Sequence, residues 1–110
     1  MSDTGAIKHD QQKARFDLIP AAPLWELANV YTFGASKYAD RNWEKGFAWT
    51  RIFAAMLRHS YRWFMGENLD AETGCHHLAS VAWCAFALME YAITHPELDD
   101  RPGEKNWRPD

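Results

Sequence analysis

Cysteine is nearly missing from this chain: Cys75 and Cys84 are the only two, nine positions apart. Placed on one helix they would be separated by about 13 Å of rise, too far for a disulfide. No Cys-x-x-Cys spacing occurs, which removes zinc-ribbon and thioredoxin-like readings and leaves two reduced thiols. Positive charge is also sparse. The 12 Lys and Arg face 15 Asp and Glu, for a formal net charge of -3, and the bases are scattered rather than drawn into the stripe that duplex nucleic acid requires. No uninterrupted apolar run reaches the roughly 18 residues of a membrane span, and the opening "MSDTGAIKHDQQKAR" has no signal-peptide core. A cytoplasmic protein is expected, with neither a membrane nor duplex nucleic acid as partner. Internal repeats and the alternating pattern of strands are absent as well.

What remains is helical and aromatic. The 110 residues suit one domain with one core, and 6 Trp, 6 Phe and 4 Tyr supply its bulk. The spacing predicts an all-α bundle of three main helices, completed by oligomerisation. Residues 1–15 form a polar lead-in expected to be mobile, after which Phe16, Leu18 and Ile19 are expected to anchor the chain. Pro20 and Pro23 suit the approach to helix one, over 23–38. Leu24, Leu27, Ala28, Tyr31, Ala35 and Tyr38 make its stripe. Gly34 interrupts it at a cost of about 1 kcal/mol unless close packing needs it. A loop rich in turn formers follows, holding Trp43, Phe47 and Trp49 among charges. Thr50 is expected to N-cap helix two, which turns Ile52, Phe53, Met56, Leu57, Ser60, Trp63 and Phe64 inward and stops at Gly66. Asp70 is expected to cap helix three, which runs to His95 and Pro96 and is apolar nearly all round, as a central helix or a subunit interface would be. Residues 96–110 read as an extended polar tail.

The stretch "GENLDAETGCHH", residues 66–77, concentrates carboxylates and two adjacent histidines beside that apolar helix. His59 falls on the inward stripe of helix two, and His77 shares a face of helix three with Ser80, Cys84 and Tyr91, while His76 projects about 100° away. His59, Glu67, Asp70 and one of the paired histidines can therefore converge at one end of the helix pair. Carboxylates with imidazole make a divalent-metal site, Mg²⁺ preferring oxygen and imidazole suiting Mn²⁺, Co²⁺, Fe²⁺ or Zn²⁺. The plainer roles stand beside these: Asp70 as a cap alone, His59 as a satisfied core histidine, His76 as structural, Glu72 as an acid complementing a helix dipole. Lys13, Arg15, Lys37, Arg41 and Arg58 are candidate phosphate ligands, and Tyr38, Trp43 or Trp49 could stack on a base.

Three runs, "KHDQQKARFDLIP", "LANVYTFGASKYADRNWEKG" and "RHSYRWFMGENLDAETGCHHLASVAW", resemble the phage and bacterial family of dATP/dGTP diphosphohydrolases, itself similar to the MazG-like all-α nucleotide pyrophosphohydrolases. The likeness spans about residues 8–92. Its most specific parts are Gly34-Ala35 with Lys37-Tyr38, Asn42-Trp43 with Gly46, Arg58-His59, and Gly66-Glu67 with Asp70 and Glu72 ahead of His77. The resemblance implies a self-associating helical enzyme. With divalent metal, Mg²⁺ or Mn²⁺ foremost, it would cut a deoxynucleoside triphosphate to monophosphate and pyrophosphate. His59, Glu67 and Asp70 would then be catalytic, with Glu67, Asp70, His77 and His59 on the metal. Lys13, Arg15, Lys37, Tyr38, Arg41, Asn42, Trp43 and Arg58 would lie on the substrate. The broader MazG-like group carries Glu-Glu-x-x-Glu on one helix and Glu-x-x-Asp at the start of another. Here the first helix offers only Glu26, and the Glu-x-x-Asp from Glu67 to Asp70 lies in a connection. Two other readings compete: a histidine-aspartate metal phosphohydrolase, and a non-enzymatic helical assembly module.

Overall fold

A computed structural model describes residues 4–103 of the chain. Three helices carry the fold, α1 (Ala21–Lys37), α2 (Trp49–Phe64) and α3 (His77–Thr94), joined by short 3-10 turns at Phe16–Leu18, Asn42–Lys45 and Pro96–Leu98. Among the described residues there is no strand, only an isolated bridge between Leu69 and His76. The chain is all-α.

The helix ends follow local chemistry. Pro20 occupies the N-cap of α1 and Pro23 its first turn, where a fixed φ helps and a missing N–H costs nothing. Beyond the end of α2 at Phe64, the backbone reverses through Gly66 at φ 103°, a conformation that a Cβ would strain.

Two expected caps are corrected. Ala48, not Thr50, precedes α2; the Thr50 N–H donates to Oδ1 of Asp100 at 2.9 Å and its hydroxyl donates to Oδ2 at 2.6 Å. An acid fifty residues away thus satisfies a first-turn donor. α3 begins six residues later than expected, at His77, and its N-cap is His76, whose Nδ1 accepts from the Leu78 N–H at 3.1 Å. Asp70 instead closes a turn, accepting from the Glu72 N–H at 2.9 Å, and Glu72 lies in that turn rather than on a helix. Asx-turn chemistry competes with helix initiation at such residues.

Both α1 and α2 pack on α3. It buries His77, Ala79, Ser80, Cys84, Ala87 and Tyr91; Cys84, Ala87 and Tyr91 form the core cluster with Ile52, ringed by Trp43, Trp49, Met56 and Trp83. By length and composition alone α3 could cross a membrane; in this fold it is the element the other two rest on. Helix α1 contributes only Leu27 to the buried set. Leu24 and Tyr38, expected in its buried stripe, are exposed, as are Trp63 and Phe64 on α2. Phe16 and Leu18 are 77% and 69% exposed and anchor nothing within the chain. The accessible surface is 9378 Å², against about 6,200 Å² for a compact monomer of this mass. The radius of gyration is 18.2 Å, against about 13 Å for a compact domain of this length. Part of the excess is the exposed stretch 4–20.

The described part of the tail expected to be extended, 96–103, opens with the 3-10 turn Pro96–Leu98 and touches α2. Trp49 donates its indole N–H to the His95 carbonyl at 3.2 Å, and the Arg101 guanidinium lies 4.9 Å from the centre of the Trp49 ring. Residues 104–110 lie outside the described residues.

Candidate functional site

Gly66 releases the chain from α2 into the connection 67–76, which folds back on itself. The Asp70 N–H donates to the Cys75 carbonyl at 2.8 Å, and the His77 N–H donates to the Asn68 carbonyl at 2.9 Å. This reversal delivers Glu67, Asp70 and His77 to the side of α2 that carries His59. His77 is fully buried. Its Nε2 lies 2.6 Å from Oε1 of Glu67 and its Nδ1 lies 2.8 Å from Nδ1 of His59.

These contacts fix the tautomers. A carboxylate only accepts, so Nε2 of His77 donates to Glu67; its Nδ1 then accepts from the Nδ1–H of His59, leaving a lone pair on Nε2 of His59. Desolvation first, then the neighbouring His77 and the charges of Arg58 and Arg62, push the His59 pKa below its ordinary value, with Asp70 pulling the other way. A neutral imidazole results.

His59, Asp70 and His77 each bring one ligand atom within 4.8 Å of the others. Two imidazoles and a carboxylate fit a borderline divalent ion such as Mn²⁺, Co²⁺, Fe²⁺ or Zn²⁺ better than Mg²⁺, and such an ion would displace the His59 Nδ1–H from the Nδ1 lone pair of His77. Glu67 stands behind His77 rather than in the cluster, the place of a carboxylate that orients a ligating histidine. Asp70 gives Oδ1 to its turn, so the second oxygen is the one a cation would use.

Next to the cluster opens a cavity of about 570 Å³, lined by Tyr31, Trp43, Trp83, His59 and Ser80, with Arg41 and Asn42 also on its wall. The rings form a continuous set: Trp43 lies 6.0 Å from Tyr31, 6.3 Å from Trp83 and 6.0 Å from Tyr91, between centroids. Arg41 holds a left-handed backbone at φ 58°, unusual for a residue with a side chain, and this turns the loop so that Asn42 and Trp43 follow into the cavity wall. Cys84 also lines the space; burial pushes its thiol pKa up to about 11, which rules it out as a thiolate nucleophile at neutral pH.

The structure therefore brings Tyr38, Arg41, Asn42 and Trp43 to one cavity with His59, and gathers His59, Asp70 and His77 beside it. Other sequence candidates are placed elsewhere. Lys13 and Arg15 line a separate hollow in the lead-in, where Arg15 pairs with Asp17 at 2.8 Å. Lys37 faces Glu72 at 3.9 Å. Arg58 is exposed and outside the cavity lining, though its charge reaches His59 and Cys84. Sequence reasoning treated Tyr31 as core and passed over Trp83. Their helical spacing looks the same whether the space they face is filled or hollow.

An all-α chain with a His-Asp-His cluster at the mouth of an aromatic cavity is the class that fold and site define. The chain belongs to the family described as dATP/dGTP diphosphohydrolase, N-terminal, whose model matches residues 3–101. It is 35% identical over 95 residues to a dATP/dGTP diphosphohydrolase of Salmonella phage PMBT28, an alignment covering 86% of this chain and 32% of the relative. The chain thus spans about a third of the length of the curated relative it matches. No solved structure matches it.

Proposed function

We propose that the chain binds a deoxypurine nucleoside triphosphate in the aromatic cavity and hydrolyses it, with a divalent cation at His59, Asp70 and His77, to monophosphate and pyrophosphate, shaping a cytoplasmic nucleotide pool. The observation that carries this reading is the double membership of His59, which lines the cavity and belongs to the cluster. The cavity is of ligand size. Tyr31, Trp43 and Trp83 offer a base its stacking surfaces. Arg41 and Asn42 supply a guanidinium fork and an amide to phosphate oxygens. Glu67 keeps His77 in one tautomer, and His59 presents a lone pair to a cation or to a water proton. The cation, when bound, would neutralise phosphate charge and polarise the phosphorus centre. The name of the phage relative supports the substrate class.

The test is incubation of the 110-residue chain with dGTP or dATP and Mn²⁺ or Mg²⁺, with products resolved by phosphorus NMR. Pyrophosphate release, abolished in Asp70→Asn, is expected; full activity in that variant excludes the site. Release of inorganic phosphate or triphosphate would support the histidine-aspartate phosphohydrolase reading, which the two-imidazole donor set favours. Calorimetric silence towards both nucleotide and metal would leave the helical assembly module. Self-association belongs to the same proposal, because the apolar surface left on α1 is of the kind that interfaces cover.

A further inference from the structure

The loop that carries Arg41, Asn42 and Trp43 is held from below by side chains of α3. The Tyr91 hydroxyl donates to the Trp43 carbonyl. A fully buried phenol is thus tied to the turn. A step further along, Nε2 of His95 donates to the Glu44 carbonyl at 2.7 Å, while its Nδ1 lies 3.0 Å from Glu97. Gly46 seals the contact: at φ 99° it approaches so closely that a Cβ would fall 2.7 Å from Cδ1 of Leu98 and 3.1 Å from Cδ2 of His95. Two backbone carbonyls of this loop are thus satisfied by two side chains at the C-terminal end of α3, Tyr91 in its last turn and His95 at its C-cap, far from His77. Irregular backbone is fixed only when its polar groups find such partners.

We propose that Tyr91 and His95 are positioning residues for ligand binding, holding Trp43, and Arg41 and Asn42 with it, at the cavity wall. This rests on the nucleotide reading given above. It assigns the two ends of α3 different tasks: the first turn serves the reacting phosphate, the last turn sets the wall against which the base lies. Loss of the clamp raises KM and leaves kcat, because the His59, Asp70 and His77 cluster is untouched.

The test compares wild type with Tyr91→Phe, His95→Ala and His95→Gln. The loop itself is read by the Trp43 indole resonance, assigned through Trp43→Phe, and by hydrogen exchange of the Gly46 amide, which donates to the Trp43 carbonyl at 3.0 Å. Binding is read by calorimetry with dGTP and Mn²⁺. Tyr91→Phe and His95→Ala are each expected to speed Gly46 exchange and to weaken dGTP binding about fivefold, the size of one net hydrogen bond, with kcat within about twofold of wild type. His95→Gln, which keeps an N–H for the Glu44 carbonyl, should restore most of the loss. An unmoved indole signal and unchanged exchange in both deletions would overturn the clamp, as would a loosened loop that binds dGTP as well as wild type. A wild-type chain that binds no dGTP would instead sink the nucleotide reading, and the exchange data would still decide whether the clamp exists.

Discussion

Helices α1 and α3 are close in length and both rich in apolar residues, yet α3 buries six residues and α1 buries one. The difference lies in what surrounds each. α3 has α2 on one flank, α1 on another and the Trp43 loop at its end; α1 meets α3 through one seam and the cavity beside it. Apolar composition alone did not decide burial. It leaves α1 with large apolar side chains, Leu24 and Trp25, exposed.

That contrast can be broken by substitution. Tyr91→Ala, in the core of α3, should destabilise the chain by about 3–5 kcal/mol, whereas Trp25→Ala on α1, where the ring is 74% exposed, should change the dilute monomer by less than about 0.5 kcal/mol. Chemical denaturation at low protein concentration measures both, and equal losses would erase the distinction. If a second copy covers α1, the effect of Trp25→Ala should grow with protein concentration. Gly46→Ala should cost about 1–3 kcal/mol, since it combines left-handed backbone with overlap on Leu98. Gly34→Ala points the other way. A Cβ there meets nothing within 4 Å, so the substitution should raise helix stability by up to about 1 kcal/mol while narrowing the cavity slightly. The smallest effect is a pH dependence at the α3 terminus. The Glu44 carbonyl first, then Glu97, raise the His95 pKa above its ordinary value. The stability it contributes is therefore complete below about pH 6.5 and is lost as pH rises through the raised folded value. Thermal midpoints across that range should decline more in wild type than in His95→Gln.

The three helices were legible because their apolar spacing and the prolines at 20, 23 and 96 are local signals. The start of α3 was misplaced because Asp70 can satisfy a turn as readily as a helix, and only the tertiary reversal at 66–77 decides between them. Of the site, the convergence of His59, Asp70 and His77 was visible from helix faces and the short connection. The retreat of Glu67 behind His77 was not, since a difference of a few ångströms separates ligand from supporter. The basic residues misled most: Lys13 and Arg15 carry the right charge but sit on a lead-in with no packing to bring it near. The grip of Tyr91 and His95 on a loop about fifty residues upstream left no mark in spacing at all.

The hollow between α1 and the Trp83 face of α3 occupies the place where a larger protein would put side chains. A molecule filling it would complete the interior as well as enter a site, so occupancy and resistance to heat should rise together. At a ligand concentration of about a hundred times Kd the gain would be about 2.7 kcal/mol. Melting curves taken across a panel of nucleotides would then rank the occupants without any assay of turnover.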